Sequence, residues 1–198
     1  PTQPLPHPPT PPPSPSPTLP LPHPMPSLPL PPPPLTDPTY LRHRRWMIRA
    51  LELAETAGAE GDVPVGAVVV GPGNTMLAEA ANRRERDQDP TAHAEVLAVR
   101  EAARQLGNWH LTGCTLYVTL EPCPMCAGAI VLSRLGLLVY GADDPKAGAI
   151  RTVMNIPAGP CSNHKLPVLA GILQEPCQQQ LQQWFQQRRR SAPDLSRS

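Results

Sequence analysis

Three residues with the donor chemistry of a zinc site are divided between two short segments about thirty residues apart, His93-Ala94-Glu95 and Pro122-Cys123-Pro124-Met125-Cys126. A fold that must bring one imidazole and two thiolates to a common point has little freedom in routing the chain between them. Three such ligands leave the fourth corner of a tetrahedral zinc to water, whose pKa falls to roughly 7 in catalytic sites. Glu95, two residues from the histidine, is placed to move protons for that water. The pattern reads as a metal-assisted hydrolytic centre, with His93, Cys123 and Cys126 as ligands and Glu95 as general acid and base.

Both halves sit where helices should begin. Asp89-Pro90-Thr91 precedes the first, and Pro122 and Pro124 bracket the second, as expected at helix starts. Two thiolates and a hydroxide on Zn²⁺ leave a net negative centre, and helix N-termini favour anions. Residues i and i+2 on a regular helix point to nearly opposite sides, so His93 is expected at the helix edge with Glu95 reaching toward a substrate. Three plainer readings stand beside this one. Cys123-x-x-Cys126 could be a redox dithiol, which needs no distant histidine. A structural zinc could take Cys114, Cys161, His110 or His164 as fourth ligand, leaving Glu95 and the prolines without a task. A short motif can also match by chance.

Proline partitions the chain. Of 31 prolines, 20 precede Thr39, in a stretch whose only charged residue is Asp37. Residues 1–37 are therefore expected to be a disordered, polyproline-like tail. It could be an SH3- or WW-type ligand, and a nonspecific tail is the simpler reading. With no arginine and no apolar run after a basic segment, it resembles neither a transit peptide nor a secretory signal. A short disordered tail is likewise expected over 191–198. No run of about 20 apolar residues exists, so no membrane partner is expected. Residues 38–190 have the size of one compact domain of about 150 residues. Cys114, Cys161 and Cys177 are most simply free thiols in a reducing compartment, and a Cys161–Cys177 disulfide stays open.

Within that domain helices and strands alternate. Asp37-Pro38 predicts a helix start, with Met47, Ala50, Leu51, Ala54 and Ala57 on the buried face and an end near Gly58. Strands are expected over Val63 to Val70 and Met76 to Ala81, joined by the Gly71-Pro72-Gly73-Asn74 turn. The His93 helix should end near Gly107. Leu116 to Leu120, Met125 to Ser133 and Leu137 to Tyr140 read as strand, helix and strand, a parallel crossover in an α/β sheet. A strand near Val168 to Leu169 and a helix from Gln178 to about Arg190 complete the pattern. The helix containing Ala127, Ile130, Val131 and Leu132 is apolar nearly all round, which calls for cover beyond the sheet, such as a second subunit.

Net charge is only +1, far from a generically basic nucleic-acid binder. The positives are clustered, at Arg42, Arg44, Arg45 and Arg49, at Arg83, Arg84 and Arg86, and at Arg188, Arg189 and Arg190. The last group follows Trp184-Phe185, so Phe185 could stack on a base while Arg188 and Arg189 meet phosphates. A solvated helix end complementing its dipole is the plainer reading.

From about Trp46 to Arg190 the chain resembles the bacterial-type tRNA-specific adenosine deaminases of the cytidine deaminase-like zinc deaminase superfamily. The resemblance rests on Asp62-Val63-Pro64-Val65-Gly66-Ala67, Asn82, Asp89 to Glu95, Thr115 to Ala129, Gly141-Ala142, Asp144, Lys146, Gly148 and Asn163-His164. It implies a three-layer α/β/α cytidine deaminase-like fold around a mixed five-stranded sheet, one zinc per subunit, and a homodimer. It also implies a cytoplasmic enzyme (an organelle stays open for a eukaryotic source) that converts the wobble adenosine of a tRNA anticodon stem-loop to inosine. By the same resemblance Asn82 would contact the flipped base and Asp144 the neighbouring ribose, with Lys146 on the same loop as a further contact. One departure stands out: Asp143 and Pro145 flank Asp144 where the bacterial pattern tends to carry arginine and alanine. Two other functions stay open. A deaminase of a free base or nucleoside would not need the arginine-rich terminal helix, and a non-catalytic zinc-stabilised RNA-binding subunit would not need Glu95.

Overall fold

The computed structural model describes residues 37–160 and 162–191. The expectations for the proline-rich tail before Asp37, for 192–198 and for Cys161 fall outside the described residues. Asp37 opens the fold through its carboxylate, which accepts from Thr39 N at 2.6 Å and Tyr40 N at 3.3 Å and so caps α1 (Pro38–Ala59). The buried face of α1 holds Met47, Ala50, Ala54 and Ala57 together with Tyr40, His43 and Trp46. Leu51 is half-buried.

Two antiparallel strands follow, β1 (Gly66–Val70) and β2 (Met76–Ala81). β1 starts three residues later than the sequence suggested. Pro64 has no N–H for a ladder, and Val65 N folds back onto Val63 O at 2.8 Å. A four-residue helix, α2 (Arg84–Asp87), precedes α3 (Ala94–Leu106), which Gly107 ends in the left-handed conformation. Then come β3 (Thr115–Leu120), α4 (Pro124–Leu132), β4 (Leu137–Ala142), β5 (Val168–Ala170) and α5 (Gln174–Ser191). α5 begins four residues before the expected Gln178 and reaches one residue into the expected C-terminal tail. Its early start includes Pro176, which a helix tolerates in its first turn.

The sheet order is β2-β1-β3-β4-β5, with β1 antiparallel to both neighbours and β3, β4 and β5 parallel. Alternation along the strands builds one core on each face. Ala67, Val69, Leu116, Val118, Leu138 and Tyr140 pack with α3 and α4. Val68, Val70, Tyr117 and Val139 pack with Met47 and Ala50 of α1 and Cys177 of α5. The result is the expected three-layer α/β/α arrangement around a mixed five-stranded sheet. Gly66 lets α1 lie tight on β1, because a Cβ there would stand 2.7 Å from Ala54 N. The carboxyl ends of β2, β3 and β4 and the start of β1 share one edge, and the N-termini of α3 and α4 open onto it. In α/β sheets that edge is where ligands bind.

Candidate active site

His93 caps α3 and Cys123 caps α4, both with extended backbone and neither spending its side chain on the cap. Their side chains are free to turn toward each other across the sheet edge. His93 Nδ1 lies 3.7 Å from Cys123 Sγ and 3.4 Å from Cys126 Sγ, and the two sulfurs are 3.6 Å apart. A tetrahedron with metal–ligand bonds of 2.0–2.3 Å has edges of about 3.3 to 3.8 Å. Two soft sulfurs and one imidazole at those spacings fit a zinc ion and leave room for one further ligand. Among the described residues this trio is the only group of histidine, cysteine and carboxylate side chains that could hold a metal. His110 and His164 stand elsewhere, and His164 Nε2 pairs with Leu135 O at 2.7 Å. Cys114 is a buried free thiol. The cluster favours one anionic sulfur, that of Cys123, over a second. The Cys126 thiol hydrogen-bonds to Cys123, which with His93 holds Cys123 down to about 4, and Cys126 is pushed up in return.

Glu95, in the first turn of α3, is 5 % exposed. Burial pushes its carboxyl above the usual carboxylate range. It faces a cleft of about 190 Å³ that His93 and Cys123 share with Val63, Val65, Asn82, Arg84, Glu121 and Asp144. A proton carrier thus sits beside the metal-ligand trio in a desolvated pocket open at one side.

The walls of the cleft are built from distant segments. Asn82 is buried, and its Nδ2 donates to Val63 O at 3.2 Å while its backbone N donates to Val65 O at 2.9 Å. Asp144 Oδ1 accepts from Lys146 N at 2.9 Å and Ala147 N at 3.2 Å, closing the loop on itself. Lys146 itself is exposed and is not among the lining residues. The negative charge at Asp143 does not stand alone: Arg151 Nη2 reaches both its oxygens at 2.8 Å. Holding this whole loop is Glu121, whose carboxylate accepts from Asp144 N, Ile150 N, Arg151 N and Thr152 N at 2.8 to 3.1 Å and from the Thr152 hydroxyl. Sequence reasoning assigned Glu121 no task. Its one local signal is a carboxylate at the end of a buried strand.

α5 lies on the other layer. Trp184 Nε1 donates to Gly58 O at 3.1 Å and Arg188 Nη1 to Gly61 O at 2.7 Å, with the guanidinium carbon 4.9 Å from the Trp184 ring. Arg188 therefore anchors the helix to the α1–β1 turn. Phe185 is exposed and sits edge-on to Trp184 with centroids 5.0 Å apart, and Arg189 is exposed. None of Phe185, Arg188 and Arg189 lines the cleft.

A family profile for MafB19-like deaminases matches residues 41–189. The chain is similar to a tRNA-specific adenosine deaminase of Bacillus subtilis (strain 168), 48% identical over 145 residues that span 73% of this chain and 89% of the relative. The enzyme of the same description from Haemophilus influenzae is also 48% identical over 145 residues, covering 73% and 84%. A solved structure from work on A-to-I editing by tRNA:A34 deaminases at the wobble position matches with a TM-score of 0.67 and 40% identity. It covers 69% of this chain and 98% of its own.

Proposed function

The chain belongs to the MafB19-like deaminases and to the tRNA-specific adenosine deaminases, and on that premise we propose that it converts adenosine to inosine at the wobble position of a tRNA anticodon. The observation that carries this reading is the placement of buried Glu95 in one cleft with His93 and Cys123, which together with Cys126 form the metal-ligand trio. The same geometry serves hydrolysis, and it has no use in a scaffold without turnover.

His93, Cys123 and Cys126 would hold one zinc per subunit, which when bound supplies an acidified water at a fixed point. Glu95 accepts a proton from the attacking water and delivers it to N1 of the adenine, which prepares C6 for attack. The carboxylate, free again, then takes the proton of the new C6 hydroxyl and delivers it to the departing amino group. One water enters, ammonia leaves, and the water oxygen remains on C6 as the inosine oxo group. Burial of Glu95 raises its affinity for the proton it must carry. Asn82 and Asp144 are proposed to contact the base and its ribose, and Lys146, Phe185 and Arg189 the RNA beyond, with Arg188 holding in place the helix that carries Phe185 and Arg189. An unpaired loop base costs less to draw into such a pocket than a paired one.

A homodimer is part of this reading. It is supported by α4, which shows Leu132 at 68 % and Met125 at 37 % exposure on a helix already buried on its sheet side. No helix among the described residues is long and apolar enough to cross a membrane, and a cytoplasmic setting accords with the free thiols of Cys114 and Cys177. The test is incubation with a panel of anticodon stem-loops, free nucleosides and free bases, scoring inosine and ammonia. Inosine at the wobble position of a stem-loop is the expected product. Turnover of a free base alone would replace this reading with a small-molecule deaminase, and zinc-loaded protein that binds RNA without product would make it a binding subunit.

A further inference from the structure

The cleft has an uneven charge distribution. Its lining carries Glu95, Glu121 and Asp144, and a zinc on His93, Cys123 and Cys126 would have its charge cancelled by the two thiolates. Among the described residues, Arg84 is the one lysine or arginine that lines it. A bare acidic cleft repels a polyanion, so the entry of a nucleotide within a phosphodiester chain needs a compensating cation at the mouth.

Arg84 is built for that place. It opens α2, and Asp62, fully buried, accepts from the next two backbone amides, Glu85 N at 2.7 Å and Arg86 N at 3.3 Å. One residue before it, Arg83 N donates to Ala92 O at 3.0 Å, which fixes the segment against the residue preceding the ligand His93. The two neighbouring arginines are engaged elsewhere. Arg83 is forked onto Asp87 at 2.8 and 2.9 Å, and Arg86 is paired with Glu60. Among the described residues, Arg84 pairs only with the adjacent Glu85, at 2.8 Å, with both side chains about half exposed. Such a surface pair contributes little and exchanges readily.

We propose that Arg84 grips a phosphate flanking the base seated in the cleft, so that the site selects an adenosine held in an oligonucleotide chain over the free nucleoside. This rests on the deaminase reading above and adds the residue that enforces it. Phosphate contacts set register while base contacts set identity. Arg84 thus brings the C6 carbon to Glu95, and Asn82 and Asp144 read what arrives.

The experiment compares wild type, Arg84→Gln and Arg84→Lys, each zinc-loaded, on four substrates. These are an anticodon stem-loop, the same stem-loop with methylphosphonates on both sides of the target adenosine, adenosine, and adenosine 5′-monophosphate. On the native stem-loop, Arg84→Gln should lower kcat/KM about tenfold, mainly through KM, the scale of one partly exposed charge-assisted hydrogen bond. The slope of log kcat/KM against log salt should fall by about 0.7, one phosphate on a single strand. Arg84→Lys should recover much of the loss. Neutralising the phosphates should cost wild type a similar factor and cost Arg84→Gln nothing further. Losses that simply multiply, or an equal kcat loss on adenosine, would overturn the proposal and assign Arg84 to the metal centre's charge balance. Wild-type kinetics in Arg84→Gln with stem-loop turnover intact would overturn this inference alone. Arg84-dependent turnover of the monophosphate but of no stem-loop would overturn the choice of an oligonucleotide. A wild type inactive on every stem-loop and on the monophosphate would remove the function on which it rests.

Discussion

Gly148 leaves the room that Glu121 fills: a Cβ at 148 would stand 2.5 Å from the Glu121 carboxyl carbon and 2.6 Å from Asp144 O. The neighbours are a five-fold hydrogen-bonded carboxylate and a backbone carbonyl, and neither can yield cheaply. Gly148→Ala should therefore cost about 1–3 kcal/mol by overpacking. It should also loosen the loop that carries Asp144. Urea unfolding reads the first effect and hydrogen exchange over 144–152 the second. An unchanged midpoint with unchanged exchange would show that the loop does not depend on this fit.

Glu121 also gives the fold an acid-sensitive joint. Burial pushes its carboxyl up, but hydrogen bonds from Thr152, Arg151 and Asp144 outweigh that and hold it below the ordinary carboxylate value. A depressed folded pKa stabilises above the unfolded value and loses that contribution as pH falls through the folded one. The stability gap between wild type and Glu121→Gln should be widest and flat from neutral pH down to about 5, then shrink in more acidic solution. A gap that stays constant to pH 3 would mean that charge on Glu121 is not what holds the loop.

What was legible in the sequence follows from range. The caps at Asp37 and Gly107, the Gly71–Asn74 turn and the position of His93 at a helix edge are local features, and each acts within a few residues. The alternation that sorts Val68 from Val69 onto opposite faces is equally local. α2 escaped because four polar residues have no apolar period, and its cap, Asp62, lies 23 residues upstream of Glu85. The roles of Glu121 and Arg188 were hidden for the same reason. Glu121 receives its donors from 23 to 31 residues away, and Arg188 reaches back 127.

The ligand trio should act as a unit. Cys123→Ala or Cys126→Ala removes one of three donors that stand within 4.8 Å of one another. Elemental analysis is expected to find zinc near one per chain in wild type and close to none in either variant, with deamination lost in parallel. Active wild-type protein without zinc would end the hydrolytic reading.

Glu95→Gln keeps the size and burial of the side chain but cannot carry a proton. Its zinc content and stem-loop affinity should match wild type, while kcat falls by roughly 10³ or more because two proton transfers are lost. The kcat drop without a KM change separates this role from mere support of the cleft. A wild-type kcat would assign the proton transfers to another group.

The arginines at the end of α5 divide into two kinds, and the division can be measured. Arg188 is fastened to Gly61 O at 2.7 Å and lies over Trp184, on the turn that leads into Asp62 and so to α2. Arg188→Gln should therefore lower the melting temperature by about 2–4 °C, equivalent to roughly 1 kcal/mol for a partly exposed contact. Arg189 and Arg190 are exposed at the same helix end. Replacing both by glutamine should leave melting unchanged yet flatten the salt dependence of stem-loop binding by about 1.4 in log–log slope, two phosphates on a single strand. An unaltered slope in that double variant would reduce the pair to cations complementing a helix dipole. RNA recognition would then rest with the cleft and its rim.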